Sequence, residues 1–438
     1  MPALANRLSA MFGLAGLQRE LLSTGLILLV ALLVSLVVLT IGGIMSYVER
    51  RVAGRVQSRV GPNRVGPLGL LQWVADGVKL ITKEDLVPRD ADRPLFLLAP
   101  YLVVIGVFAA FASIPFGALL IAADLNVGVV YLLAITSLTA VGILMAGWGS
   151  NNKWAMLGGV RSAAQIVAYE VPSTMALLSI VLLAGSLSLQ TIIGQQGGWP
   201  WQWYIFHNPF SFVAFFLYFT AAIAEGNRTP FDLPEAESEL VAGYNTEYSG
   251  MRFAGFFLGE FSNVFLMSAI ATCLFFGGWQ LPGVSVAAQS ASIGLQALGL
   301  VVYVAKVCCG CFLVIWLRWT LPRLRVDQLT SLCYRYLLPL AFVCLLGNGA
   351  YLYLVTAGST LDLAVHGVVT ALAGAAGAFF VWRVFYHIRH THDRISIDLA
   401  RGERSVFDAG VQKRGYGALR KAGLAAAVAA AAAAKESP

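Results

Sequence analysis

A chain of 438 residues that is 58% hydrophobic and only 12% charged, with a mean hydropathy of +0.74, is excluded from the soluble globular class, which carries about 25% charged residues. Apolar stretches long enough to cross a bilayer recur along its whole length, the pattern of an all-α polytopic membrane protein. The net charge of +7 follows topology, so it does not point to nucleic acid as a partner.

In chain order, residues 1–20 read as an N-terminal segment on the outer face. The apolar run at 21–47 is too long for a secretory signal and has no small-residue cleavage site. Nine spans are expected, at 21–47, 95–117, 128–149, 163–185, 209–227, 253–277, 298–319, 335–357 and 362–384. The first eight form a transmembrane domain over 21–357, and 358–387 hold the additional C-terminal span. Bases concentrate in alternate loops: Arg50 and Arg51 through Arg93, then Lys153 and Arg161, then Arg228 and Arg252, then Arg323 and Arg325. The intervening loops are almost uncharged, with Asp124 and Asp362 as exceptions. The positive-inside bias places the basic loops in the cytoplasm, hence the N-terminus outside and the C-terminus inside.

After the first span, "GPLGLLQWVADGVKLITKED" sets Gln72, Asp76, Lys79 and Lys83 on one helical face. Leu70, Leu71, Val74, Val78 and Ile81 occupy the other, so an amphipathic helix at the membrane interface is expected over 66–82. It serves either as a surface anchor or as the wall of a site. The tail 388–438 is basic and then alanine-rich, and its composition predicts weak order. His387, His390, His392 and Asp393 read as a solvated patch, since no closed site is implied. The six cysteines, with "CCGC" at 308–311 as their one close group, lie in or beside apolar segments and read as small packing residues; no metal is expected.

Ionisable residues inside spans cost about 2.5–3.5 kcal/mol on insertion scales, so each calls for a partner or a function. Glu170, Glu225, Glu260 and Lys306 are such residues. One lysine cannot pair every acid, and crowded, desolvated carboxylates exchange protons readily. A proton path is the expectation, against structural ion pairing as the alternative. Pro172 is expected to free a backbone carbonyl near Glu170. "AEGNRTPFDLPEAESELVAGYNTEY" then gathers Glu225, Asp232, Glu235, Glu237, Glu239 and Glu247 around a single base, Arg228, the expected counter-charge. Asp232 and Glu235 predict a capped short helix running to about Ala242. Glu235 and Glu239 fall at i, i+4, where like charges weaken a helix. That spacing favours shared protons or recognition of a basic partner. No nucleotide-binding loop or haem motif is present, so the chain is expected to bring no redox centre.

The strings "ERRVAGRVQSRVGPNRVGPLGLLQWVADGVKLITKED", "ADLNVGVVYLLAITSL", "GWGSNNKWAMLGGVRSAAQIVAYE", "AEGNRTPFDLPEAESELVAGYNTEYSGM" and "LRWTLPRLRVDQL" resemble the quinone-site membrane subunit family of respiratory complex I, the bacterial NADH-quinone oxidoreductases. The likeness runs from about residue 20 to 357. It implies eight spans, a quinone chamber shared with hydrophilic-arm quinone-site and iron–sulfur subunits, and contact with small membrane subunits and antiporter-like subunits. NADH, FMN and iron–sulfur clusters would belong to those partners, with membrane quinone as substrate. By motif, Arg50, Arg51, Asp76, Lys79, Arg228, Asp232 and Phe257 would lie around the quinone passage. Glu225, Asp232, Glu235, Glu237, Glu239, Glu170, Glu260 and Lys306 would form the proton relay. Two positions depart: "VAYE" lacks the hydroxyl of the family's usual "ISYE", and Gly226 stands where a hydroxyl residue is common. The ninth span and the alanine-rich tail have no counterpart. The rivals are the related membrane subunit of energy-converting hydrogenases and a self-contained secondary transporter, though no internal repeat is evident.

Overall fold

Helix α1 (Leu17–Val56) runs 40 residues and carries the chain well past the apolar stretch that suggested it. Val38, Gly42, Met45, Glu49 and Ala53 are buried on it at spacings of three and four, which keeps them on one face. The structure, a computed structural model, describes residues 17–233, 241–355 and 359–390. Amphipathic helix α2 (Gln72–Thr82) follows a short turn at Pro67–Gly69, so the helix itself starts later than expected. Then come α3 (Arg93–Ala112), α4 (Gly128–Gly149), α5 (Lys153–Ala184), α6 (Pro209–Glu225), α7 (Gly250–Phe275), α8 (Ile293–Thr320), α9 (Val326–Leu354) and α10 (Thr360–His390). Among the described residues there is no strand. Among the described residues eight helices are long and apolar enough to cross a membrane, and α6 is a shorter apolar helix of 17 residues. The nine expected spans are thus nine apolar helices.

Helix α5 begins ten residues before the expected span, for two local reasons. The Asn152 side chain caps it by accepting from the Trp154 amide. A Cβ on Gly158 would stand 2.7 Å from the Cα of Gly243, so only glycine lets the helix's first turns meet that backbone. Helix α5 also continues through Pro172. The carbonyl that Pro172 leaves unbonded, four residues back at Ala168, accepts from the Cys333 thiol of α9 at 3.1 Å. The freed group is therefore used to join two helices. All six cysteines are free thiols.

The basic loops gather at one end of this bundle. Asp92 donates its amide to Gly149, Asn152 donates to Glu247, Leu86 meets Ser249, and Leu324 donates to Pro230. The uncharged loops gather at the other: Gln190 donates to Gly117 and Ala118, Gln196 to Cys273, and Val129 to Leu187.

The chain divides into two compact units, Met1–Thr370 and Ala371–Pro438. Within the second, residues 371–390 are helical. Within the first, the opening turns of α10 are held to the uncharged end. Tyr351 donates to Asp362 at 2.6 Å, and the His366 ring lies 5.9 Å from His207, which precedes α6. Burial lowers the His207 pKa below its ordinary 6.5, with Asp362 opposing and His366 reinforcing that shift.

Candidate functional site

Four charged side chains from four segments meet beneath the basic end. Glu49, 6% exposed, extends from α1. Arg228, 1% exposed and carried by the loop after α6, lies 3.1 Å from Glu49 and 3.3 Å from Glu260 of α7. Arg318 of α8 closes on the other Glu49 oxygen. Two guanidinium groups thus neutralise two buried carboxylates, the condition under which buried charge is tolerated. The Phe261 ring sits 4.6 Å from the Arg228 guanidinium and covers it. Arg228 is thus engaged with Glu49 and Glu260 from distant helices. Asp232 has Arg323 at 3.6 Å and stands close enough to Glu260 to interact with it electrostatically.

The loop that delivers Arg228 is fastened to α5. The buried Gln165 amide donates to the carbonyls of Ala224 and Phe231 and to Asn227 Oδ1, at 2.7, 2.8 and 3.1 Å. Asn227 donates to Ser162 at 3.0 Å, and the Phe231 ring rests against Tyr169. Helix α6 therefore ends with Glu225 at a fixed place in the bundle.

Two small cavities meet there. One is lined by Glu260, Glu225, Asn263, Thr139, Asn227 and Tyr244 among others, and the second by Glu225, Asn263, Thr136, Ser173 and Tyr218. They offer about 30 and 20 Å³ to the centre of a water-sized sphere, and one water needs roughly 10–15 Å³. Each has polar groups to hold a water. Glu170 lines neither cavity but lies within electrostatic range of Glu225. Gly226, the departure from the family pattern, leaves the space that the Met267 methyl enters: a Cβ there would be 2.6 Å from it.

On the side of α2, Gln72 and Asp76 of the polar row face the protein. Asp76 pairs with Arg50 and accepts from Gln72 at 3.1 Å, while Trp73 packs on Gly43 of α1. Leu70, Leu71, Val74, Val78 and Ile81 point away from the chain and are exposed, as is Lys79. That is the reverse of a soluble amphipathic helix and suits an interface with lipid. Arg51 donates to the Leu68 carbonyl at 2.5 Å and fixes the turn before α2. The Phe257 ring lies tilted between those of Phe253 and Phe261, 4.6 and 5.9 Å away, in a row that ends on Arg228.

Lys306 does not join these acids. Its ammonium donates to the carbonyls of Phe276 and Gly278 at 2.8 and 3.0 Å and lies over the Trp203 ring at 4.7 Å. It satisfies the end of α7 on the uncharged side, where helix carbonyls lack partners. Glu235, Glu237 and Glu239 lie outside the described residues, as do His392, Asp393 and the tail from 391. The chain re-enters description at Val241, in a turn with φ +66°. Sequence reasoning does not single out Glu49, Arg318 or Asn263. Charge follows Glu49 at Arg50 and Arg51, so it reads as loop, yet it continues the buried stripe of α1. Arg318 and Asn263 carry no local signal.

Fold and site together define a multi-pass, all-helical membrane protein with a buried ion cluster opening onto a line of acids. A family model described as NADH dehydrogenase matches residues 28–348. The chain is 52% identical over 366 residues to the H subunit of NADH-quinone oxidoreductase from Anaeromyxobacter dehalogenans (strain 2CP-C), covering 81% of this chain and 89% of that protein. It is 47% identical to the protein of the same name from Chlorobaculum parvum (strain DSM 263 / NCIMB 8327), covering 75% and 93%. It is 45% identical to NADH-quinone oxidoreductase subunit 8 of Rhodothermus marinus, covering 74% and 97%. The chain belongs to the NADH dehydrogenase family.

Proposed function

We propose that this chain is the membrane subunit of a proton-translocating NADH-quinone oxidoreductase, walling the quinone chamber and passing quinone chemistry into a buried acid relay. The carrying observation is the contact between the Glu49–Arg228–Glu260–Arg318 cluster and the cavity that Glu225 shares with Glu260. The names of the relatives support the quinone reading over the hydrogenase one. The N-terminus lies outside and the C-terminus in the cytoplasm of the cell membrane. Hydrophilic-arm subunits dock on the basic end, and small and antiporter-like membrane subunits lie alongside.

Reduction of a quinone to its quinol takes two electrons and two protons. In this reading the electrons come from iron–sulfur clusters in partner subunits, fed by NADH and FMN there. The residues of this chain receive the quinone and manage charge. An isoprenoid quinone crosses from lipid past the exposed apolar row of α2, then along Phe253, Phe257 and Phe261. Arg50, Arg51, Asp76 and Lys79 bound the entrance. Negative charge developing on the ring competes with Glu49 and Glu260 for Arg228, because one guanidinium cannot serve three anions equally. A carboxylate that loses its cation in a desolvated site takes up a proton. Glu260 thus converts quinone charge into proton movement toward Glu225 and Glu170, with Asp232, Glu235, Glu237 and Glu239 on the supply side.

A quinone-like photoaffinity probe applied to the complete complex should label α2 and the Phe257 region, and excess quinone should suppress the label. Inhibition by the probe with no label on either segment would count against the chamber assignment.

A further inference from the structure

Glu225 and Asn263 line both cavities, and the other relay acids in the described residues line one or neither. Asn263 lies three residues after Glu260 on α7, so the two side chains share a helix face. Its amide is polar inside a span, where polar side chains are costly without a partner. Among the described residues no hydrogen-bond partner reaches that amide, although it opens into space sized for water on two sides. A carboxamide cannot change its protonation, yet it offers two donors and an acceptor. It can hold a water so that one hydrogen points at a carboxylate while the oxygen accepts from another group.

We propose that Asn263 is the positioning residue that joins the two cavities, orienting the water through which a proton passes between Glu260 and Glu225. The inference rests on the relay reading above. The proton leaves one carboxyl as the neighbouring water takes it and gives up another, so charge moves one place and no bond other than O–H changes. Asn263 itself neither gains nor loses a proton. The polar groups beyond Glu225, Thr136, Ser173 and Tyr218, then receive the chain of waters in the second cavity.

The test compares Asn263→Leu, Asn263→Ser and Glu225→Gln in the complete complex in native membranes. Quinone reduction and its solvent deuterium isotope effect are measured. Asn263→Leu removes the polar group and occupies water space, so turnover should fall roughly tenfold, as expected when an ordered water is displaced by a group that cannot replace its hydrogen bonds. The isotope effect should rise, because proton transfer becomes limiting. Asn263→Ser keeps a donor and acceptor and should retain most activity with an ordinary isotope effect. Impaired Glu225→Gln beside an Asn263→Leu complex with normal turnover and isotope effect would overturn the role of Asn263 and leave the relay standing. Equal loss in the leucine and serine variants with an unchanged isotope effect would make Asn263 merely structural. Normal behaviour of both Glu225→Gln and Asn263→Leu would overturn the relay reading and this inference together.

Discussion

Replacing Arg228 with glutamine should abolish quinone reduction and reduce the amount of assembled complex. Arg228 is 1% exposed and engages Glu49 and Glu260 at once. Without it, Arg318 alone would face two buried carboxylates, and breaking a buried pair in this way costs about 3–5 kcal/mol. That is a large share of the roughly 5–15 kcal/mol by which a domain is stable. Arg228→Lys should not rescue it fully, since an ammonium cannot span two carboxylates as a planar fork does. Glu49→Gln should be milder, because Arg228 and Arg318 keep Glu260 nearby as an anion. Native gels and quinone-reductase assays on membranes read both effects. An Arg228→Lys complex with wild-type amount and rate would show that the fork geometry is unimportant.

Glu225→Gln should separate function from folding. Among the described residues Glu225 forms no ion pair, and glutamine nearly matches its shape, so assembly should survive. An amide cannot take up and release a proton, however, and both cavities converge on this position. Removing a positioned proton-transfer group costs on the order of a hundredfold or more in rate. Quinone reduction coupled to that transfer should fall accordingly, while Glu225→Asp, with its carboxylate drawn back by one methylene, should retain part of the rate. Assays in sealed membranes distinguish the two variants. Equal and near-normal rates would remove Glu225 from the relay.

The apolar helices, the segregation of basic loops and the amphipathic character of α2 are legible in the sequence because each is local. Hydropathy, loop charge and helical spacing are properties of short windows. The same windows flag Glu170, Glu225 and Glu260 as charges in expensive places, and the structure brings Glu225 and Glu260 to a shared cavity. What short windows cannot reveal is pairing over distance. Arg228 meets Glu49 across 179 residues, and Arg318 meets Glu49 across 269. Lys306 shows the same limit in reverse. Its depth in the chain suggests a partner for the acids, yet it caps the end of α7 on the opposite side. Pro172 suggests an exposed carbonyl beside Glu170, and a thiol from α9 occupies that carbonyl instead. A buried charge can be recognised from sequence, but its counter-ion belongs to the tertiary fold.

If the buried acids couple quinone chemistry to proton movement, one measurement bears on it most directly. It is the number of protons translocated per quinone reduced by the complete complex carrying Glu225→Gln, at its residual turnover in sealed vesicles. Translocation lost more severely than reduction, with assembly intact, is the predicted result. A wild-type rate and a wild-type proton-to-quinone ratio would contradict it.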